Sequence, residues 1–314
     1  MRSSTLLPLT LLLCAAPLLG QPLEPPASPA PPPALTESLE RAFKLITEGQ
    51  FQQAKAELEK ATALAGGPCG ECLLGMSHVY ASEGGKWDQV VATVQRALPL
   101  LSSPTLQARA YNQLAVAYVK LQDPDSLSKA EEALRQGAER GGAWGAVARY
   151  NLAEVLARQQ RWADSADSAR RYIQEAGGEG TSLKEAHVLL CQVRSHLPDD
   201  SPQAGGEILE IKRVGGDISR PEILFKVNPQ YTEEARKAGT NGTVILEAII
   251  DQEGCVRNVR ALQEVPNGMT EAGMAAVRQW VFSPAVLAGK PVKVYYVLTI
   301  NFRVDKRPAL QPPG

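Results

Sequence analysis

The chain has 314 residues, which leaves room for two domains. Its formal net charge is -1, and it has no long block of charge of one sign. Nucleic acid is therefore not expected as the main partner, because nucleic-acid-binding proteins present basic surfaces.

The first twenty residues have the composition of a secretory signal. One basic residue, Arg2, precedes an apolar run from Leu6 to Leu19, and small residues lead to Gly20. The run is interrupted by prolines and is shorter than the ~20 residues that span a membrane comfortably. We expect residues 1–20 to be a cleaved signal peptide. An uncleaved signal that anchors the chain, and lipidation of Cys14, are the alternatives.

Residues 21–34 contain seven prolines, which cannot form a helix or a central strand. They predict an extended Pro-rich linker of about 40 Å, at about 3.1 Å per residue. A leader that only separates the domain from the signal is the alternative to a recognised ligand.

Residues 35–197 predict a helical array, because they lack strand-like alternation and are rich in alanine. An aromatic residue after a turn is followed three positions later by a smaller one, a spacing that lets two antiparallel helices cross closely. The examples are Phe51 with Ala54, Trp87 with Val90, and Trp162 with Ser165. A period near 34 residues resembles the tetratricopeptide repeat, with four repeats at 35–67, 70–101, 107–140 and 145–177 and a terminal helix at 182–196. Such an array binds proteins in a groove or acts as a rigid spacer.

The cysteines and histidines of this region predict no metal site. Cys69 and Cys72 lie at the start of a helix, and we expect either a local disulfide or two buried thiols. No strand-helix-strand unit surrounds them, so we do not expect a thioredoxin-like site. His187 and Cys191 share a helix face, but with His196 they do not complete a structural zinc site.

Residues 198–206 combine proline, glycine and polar residues and predict the linker between the domains. Residues 207–305 then predict a small α+β domain whose main elements are helix, strand, strand, helix and strand. Its last strand, from Val292 to Val304, has apolar residues at every second position. We expect a three-stranded antiparallel sheet covered by two helices, followed by a disordered tail at 306–314. The overall fold class is α+β, an all-α array followed by this domain.

This domain contains several motif residues at regular spacings: Pro229, Tyr231, Trp280, Phe282 and Pro284, together with Gly239, Gly242, Asp251, Gly254 and Gly289. In this combination the domain resembles the TonB C-terminal domain. Thr232 stands where the family commonly has a second proline, and a threonine can still cap the helix that follows. We expect the five motif residues to be core and turn residues rather than contacts.

The resemblance implies a protein of the Gram-negative periplasm whose domain binds an outer-membrane receptor, with a short receptor segment added alongside the last strand. An edge strand suits this role because its backbone donors and acceptors are unpaired. The residues expected at this edge are Val294, Tyr295, Val297, Thr299 and Asn301.

No phosphate-binding loop, nucleophile elbow or zinc-protease motif is present in the sequence, so we expect neither an enzyme nor a cofactor. The sequence therefore predicts an exported adaptor that binds an envelope partner, such as a TonB-dependent receptor, by strand addition, with the array as a second binding surface. The alternatives are a membrane-anchored energy transducer and a purely architectural envelope component. Pairing of the last strand with a second copy would give a homodimer.

Overall fold

The computed structural model describes residues 32–176, 183–197 and 210–303. The expected signal peptide, residues 21–31 of the Pro-rich linker, the interdomain linker at 198–206, Val304 and the tail at 306–314 lie outside these residues. The chain divides into two compact units, residues 1–178 and 179–314. Within the described residues, no helix is both long enough and apolar enough to cross a membrane.

The first unit is a succession of helix pairs in sequence order, as the repeat pattern predicts. The pairs are α1 (Pro33–Thr47) with α2 (Phe51–Leu64), α3 (Gly70–Ser82) with α4 (Trp87–Ala97), α5 (Pro104–Leu121) with α6 (Ser126–Glu139), and α7 (Gly142–Arg158) with α8 (Trp162–Glu175). Each helix contacts the next, and α5 also contacts α7. The predicted all-α array is confirmed.

Small residues allow these helices to approach closely. Ala54, Val90 and Ser165, each three positions after an aromatic residue, are fully buried. The Ser165 hydroxyl donates a hydrogen bond to the carbonyl oxygen of Ala153, 2.7 Å away. A Cβ atom added at Gly75 would lie 2.6 Å from a methyl carbon of Leu58, so a larger residue where α3 crosses α2 would force the Leu58 side chain to move.

The second unit begins with a helix that the sequence pattern assigned to the array. This helix, α9 (Leu183–Arg194), contacts strands of the second unit, and a disulfide joins its Cys191 to Cys255. The Arg194 guanidinium also forms an ion pair with the Glu253 carboxylate. The boundary between the units thus falls between residues 178 and 179, not between 197 and 198. Helical periodicity identified the helix but could not identify its neighbours.

The rest of the second unit is a mixed α+β domain. Its elements are β1 (Lys212–Arg213), β2 (Ile223–Phe225), α10 (Glu233–Ala238), β3 (Gly242–Ile250), β4 (Val256–Gln263), α11 (Met269–Val277), β5 (Val281–Phe282), β6 (Ala285–Leu287), β7 (Lys290–Val292) and β8 (Val294–Phe302). The main sheet has the order β1-β8-β3-β4, while β2 pairs with β5 and β6 with β7. The three long strands are antiparallel as predicted, and β1 adds a short fourth strand parallel to β8.

The core of this domain lies on one face of the main sheet. The alternate residues Val294, Leu298, Ile300 and Phe302 of β8 are buried, and Tyr296 is half-buried. They pack with alternate residues of β3 and with α11, whose Met269 and Val277 are fully buried. The period of two in the sequence therefore reports one buried face.

Candidate protein-interaction edge

β8 lies between β3 and β1, but β1 covers only its first residues. On one side, β8 pairs with β3 without a register shift, from Val294 opposite Ile250 to Phe302 opposite Gly242. On the other side, β1 pairs only at Val294 and Tyr295, and the Lys212 N–H donates to the Lys293 carbonyl oxygen at 3.0 Å. Beyond Tyr295, no strand within the described ranges pairs with this side of β8.

The direction of the backbone groups identifies which residues form the open edge. The N–H and C=O groups of a strand residue point to the same side and alternate from one residue to the next. Because the Lys293 carbonyl faces β1, the backbone groups of Val297, Thr299 and Asn301 face the open side. We call these three residues the open edge. They offer a row of donors and acceptors to an extended segment.

The side chains of the open edge are also accessible. Val297 is 52% exposed, and Thr299 and Asn301 are exposed. The Thr243 hydroxyl donates to the Asn301 side-chain oxygen at 2.8 Å, a cross-strand contact that holds Asn301 on the outer face.

Two other residues predicted at this edge do not belong to it. Val294 is fully buried, and its backbone faces β3 because it alternates with Lys293. The backbone of Tyr295 faces the same side of β8 as the open edge, but β1 is paired at this position. The Arg213 guanidinium also lies over the Tyr295 ring, 5.2 Å from its centroid. The sequence pattern could not exclude them, because β1 is too short to show a periodicity of its own.

The opposite edge of the sheet, β4, is less suited to strand addition. Its pairing with β3 contains two register shifts, between Ile245 and Leu246 and between Ile249 and Ile250. β4 also carries Arg257 and Arg260. Bulges and charged residues are devices that protect an edge from pairing, whereas the open edge of β8 has neither.

A buried carboxylate on the outer face fixes β1 beside β8. Glu247 of β3 is only 5% exposed, and its two oxygens contact Arg213 at 3.3 Å and Arg260 at 2.5 Å. Glu247 lies opposite Val297 in the β3–β8 register. The ion pair with Arg213 and the Arg213–Tyr295 contact together keep β1 at the start of β8, which leaves the open edge next to it. The sequence pattern showed the apolar segment that contains β1, but not these polar partners.

Comparison with known proteins identifies this part of the chain. Residues 227–304 match the family model of the Gram-negative bacterial TonB protein C-terminal. Residues 227–304 form a TonB-like domain. The TonB protein of Vibrio cholerae is 36% identical over 93 residues, and that of Yersinia enterocolitica is 34% identical over 85 residues. These alignments cover 28% and 27% of this chain, but only 37% and 31% of the two relatives.

Two solved structures of the MamA protein align with about half of the chain. They have TM-scores of 0.41 and 0.39 and identities of 18% and 16%. Each alignment covers 52% of this chain and 81% of the other chain.

The motif residues of the TonB-like domain lie in its core and turns. Trp280 is 4% exposed and donates its indole N–H to the Val227 carbonyl oxygen at 2.8 Å. Phe282 is fully buried, with its ring centroid 5.7 Å from that of Tyr296. The Tyr231 ring contacts Phe302 edge-on, and its hydroxyl donates to the Thr240 carbonyl oxygen. Pro229 and Pro284 are half-buried.

The threonine that replaces the family proline caps the next helix. The Thr232 side-chain oxygen accepts a hydrogen bond from the Ala235 N–H at 3.1 Å, at the start of α10. The same hydroxyl donates to the Asn267 carbonyl oxygen at 2.6 Å. The expectation that threonine preserves the start of this helix is confirmed.

The four cysteines within the described residues are joined in pairs. Cys69 and Cys72 form a disulfide at the start of α3, and Cys191 and Cys255 form the one that joins α9 to the β3–β4 turn. The Nδ1 atom of His187 lies 3.2 Å from the Glu253 carbonyl oxygen, and burial lowers the pKa of this histidine. No zinc site is formed by these described residues.

Three ligand-type side chains approach one another at the β3–β4 turn, but each has another role. The Cys255 sulfur is in a disulfide, and the Asp251 carboxylate receives Arg257 at 2.6 Å. Glu253 is paired with Arg194. This group therefore stabilises the turn rather than offering free ligands to a metal ion.

Proposed function

We propose that this protein is an exported interaction adaptor of the bacterial envelope. Its TonB-like domain binds an outer-membrane or other envelope partner by β-strand addition, and the helical array is a second binding surface. The single observation that carries the proposal is the open edge of β8, formed by Val297, Thr299 and Asn301. On its other side β8 pairs with β3 without a register shift, and no strand in the described part of the chain pairs with the open edge.

β1 supports this mode of binding. Its backbone already bonds to the same side of β8 through the Lys293 carbonyl oxygen, so this side can form main-chain hydrogen bonds. An added segment would continue along Val297 to Asn301. Main-chain pairing would supply affinity, while the exposed Val297 side chain would offer an apolar contact on the outer face.

Paired cysteines support export. Disulfides form and persist in oxidising compartments such as the periplasm. The two disulfides and the signal-like N-terminus therefore agree with a periplasmic location.

A photoreactive residue tests the edge directly. We expect a photoreactive phenylalanine analogue at Thr299 to cross-link, in cells of the native host, to one extended segment of an envelope protein. The control is the same analogue at Asn258, which is exposed on β4 and should capture no such segment. Equal capture at both positions, or none at Thr299, would contradict the proposal. Capture of only a second copy of the chain would indicate a homodimer through β8 instead.

The second candidate is an energy transducer that drives transport through an outer-membrane receptor. The likeness to two TonB proteins favours it. The mass of the mature chain separates the two candidates, because the transducer requires an anchored N-terminus. A chain in the membrane fraction that retains Met1 would support the transducer, whereas a chain that starts near Gln21 would support the adaptor.

A further inference from the structure

An arginine in the first unit is enclosed by aromatic rings but has no carboxylate partner among the residues that the structure describes. The Arg109 guanidinium of α5 lies 5.0 Å from the ring centroid of Phe43 in α1 and 5.6 Å from that of Trp144 in α7. Its Nε atom is buried without a hydrogen-bond partner. Within the described residues, the guanidinium forms no ion pair. Burial lowers the pKa of Arg109 to about 10, and it is still charged at neutral pH.

Two neighbouring side chains add further unpartnered polar atoms. His78 of α3 has a buried Nε2 atom without a partner, and burial together with the charge of Arg109 holds the pKa of this histidine well below its usual value. Gln113 lies one helical turn after Arg109 and is only 5% exposed. Neither its amide nitrogen nor its amide oxygen has a partner. A cation, a neutral imidazole and a buried, unpartnered amide thus lie close together.

This concentration requires an explanation, because buried polar groups in proteins are nearly always hydrogen-bonded. A buried charge is normally paired as well. Even the exposed arginines Arg135 and Arg161 of the same unit are paired, both with Glu131, at 2.8 and 2.7 Å. Arg109 differs although it lies in the same helical array.

The site is formed by the first helix of every pair. Phe43, His78, Arg109 and Trp144 come from α1, α3, α5 and α7, so four repeats contribute to one place. The two rings pack against the guanidinium and limit its movement. The N–H groups of a guanidinium lie in its plane and form a fork that matches a carboxylate.

We propose that Arg109, which is half-buried, binds an acidic segment of a partner protein by receiving the side-chain carboxylate of an aspartate or glutamate. The carboxylate would supply the missing countercharge. This inference rests on the array being a binding surface, as proposed above, and is independent of the open edge of β8.

A peptide selection tests the inference. The purified full chain is immobilised and presented with a pooled library of random dodecapeptides that are acetylated and amidated at their ends. We expect the retained peptides to share one acidic position. Replacement of that residue by Asn or Gln in a retained peptide should weaken binding about tenfold or more, as charge-assisted hydrogen bonds are lost.

Variants of the protein assign the effect to the site. Arg109→Gln should abolish the acidic preference, whereas Arg96→Gln, which removes an exposed positive charge from α4, should retain it. The preference of the unmodified chain for the acidic peptide remains informative if Arg109→Gln fails to fold. Absence of an acidic position, or its retention by folded Arg109→Gln, would overturn the inference.

A second library with free C-terminal carboxylates separates the two sources of this group. Selection only of peptides with a free C-terminus, without an acidic side chain, would replace the proposed side-chain carboxylate by a chain end and so overturn the inference as stated. Cross-linking from Thr299 should be unchanged in Arg109→Gln, so failure here is distinguishable from failure of the strand-addition proposal.

Discussion

Removal of the disulfide between Cys191 and Cys255 tests whether α9 is part of the folded second unit. The two cysteines are 64 residues apart in the sequence. In the chain-entropy description, closing a loop of this length stabilises the folded state by about 4 kcal/mol relative to the open unfolded chain. Replacement of both cysteines by alanine should therefore lower the free energy of unfolding of the second unit by about 4 kcal/mol.

Hydrogen exchange with mass spectrometry can measure this loss in the full chain, because it reports each segment separately. Amides in β3 and β8 that exchange only on unfolding of the unit should exchange about a thousandfold faster in the double variant. The matched control replaces Cys69 and Cys72, whose disulfide lies in the first unit, and should leave β3 and β8 unchanged. An acceleration of less than about tenfold in the Cys191 and Cys255 variant would refute the reasoning.

Three further predictions concern buried groups. Burial raises the pKa of Glu154 to about 7, so the folded array binds this proton more tightly than the unfolded chain does. The free energy of unfolding of the array should therefore fall by about 2 to 3 kcal/mol between pH 5 and pH 8. Urea unfolding at the two pH values should show that Glu154→Gln removes most of this fall. A gain from Glu154→Gln that is equal at both pH values would contradict this origin. Gly254→Ala should destabilise the second unit by several kcal/mol in thermal unfolding, because the added Cβ would lie 1.9 Å from the Phe282 carbonyl oxygen. Gly289→Ala is the control: Gly289 also has a positive φ but open space around it, so this change should cost only about 1 kcal/mol. Equal costs for the two variants would show that the contact with Phe282 is unimportant. Leu58→Ala should lower the free energy of unfolding of the array by about 2 to 5 kcal/mol in urea unfolding, because Leu58 is fully buried, and a loss below about 1 kcal/mol would be inconsistent with its packing.

The sequence predicted the elements with strong periodicity. The spacing of Phe51, Trp87 and Trp162 located the helix pairs because each aromatic residue begins the second helix of a pair. The alternation along β8 located a strand with one buried face. Local patterns of this kind depend on which side of an element faces the core, and they are therefore visible in a single chain.

Features that depend on long-range pairing were not predictable in this way. The four cysteines after the expected signal peptide allow three sets of pairs, and the pairing of Cys191 with Cys255 follows only from the position of α9. β1 has two residues, too few for a periodicity, yet it covers Tyr295 and so shortens the predicted edge. The unpartnered Arg109 is likewise recognisable only when the surroundings of its guanidinium are known.

The central claim, strand addition to the open edge of β8, is tested most directly by removing one outward-facing backbone donor. Thr299→Pro removes the N–H that faces the open side but leaves the β3–β8 hydrogen bonds intact, while Thr299→Val retains the N–H. Both variants carry the photoreactive residue at Asn301, and circular dichroism confirms their folding. We predict that Thr299→Val captures the partner and that Thr299→Pro loses about tenfold or more of the capture, because a main-chain bond is lost and the proline ring obstructs the added strand. Equal capture by the two folded variants would contradict strand addition.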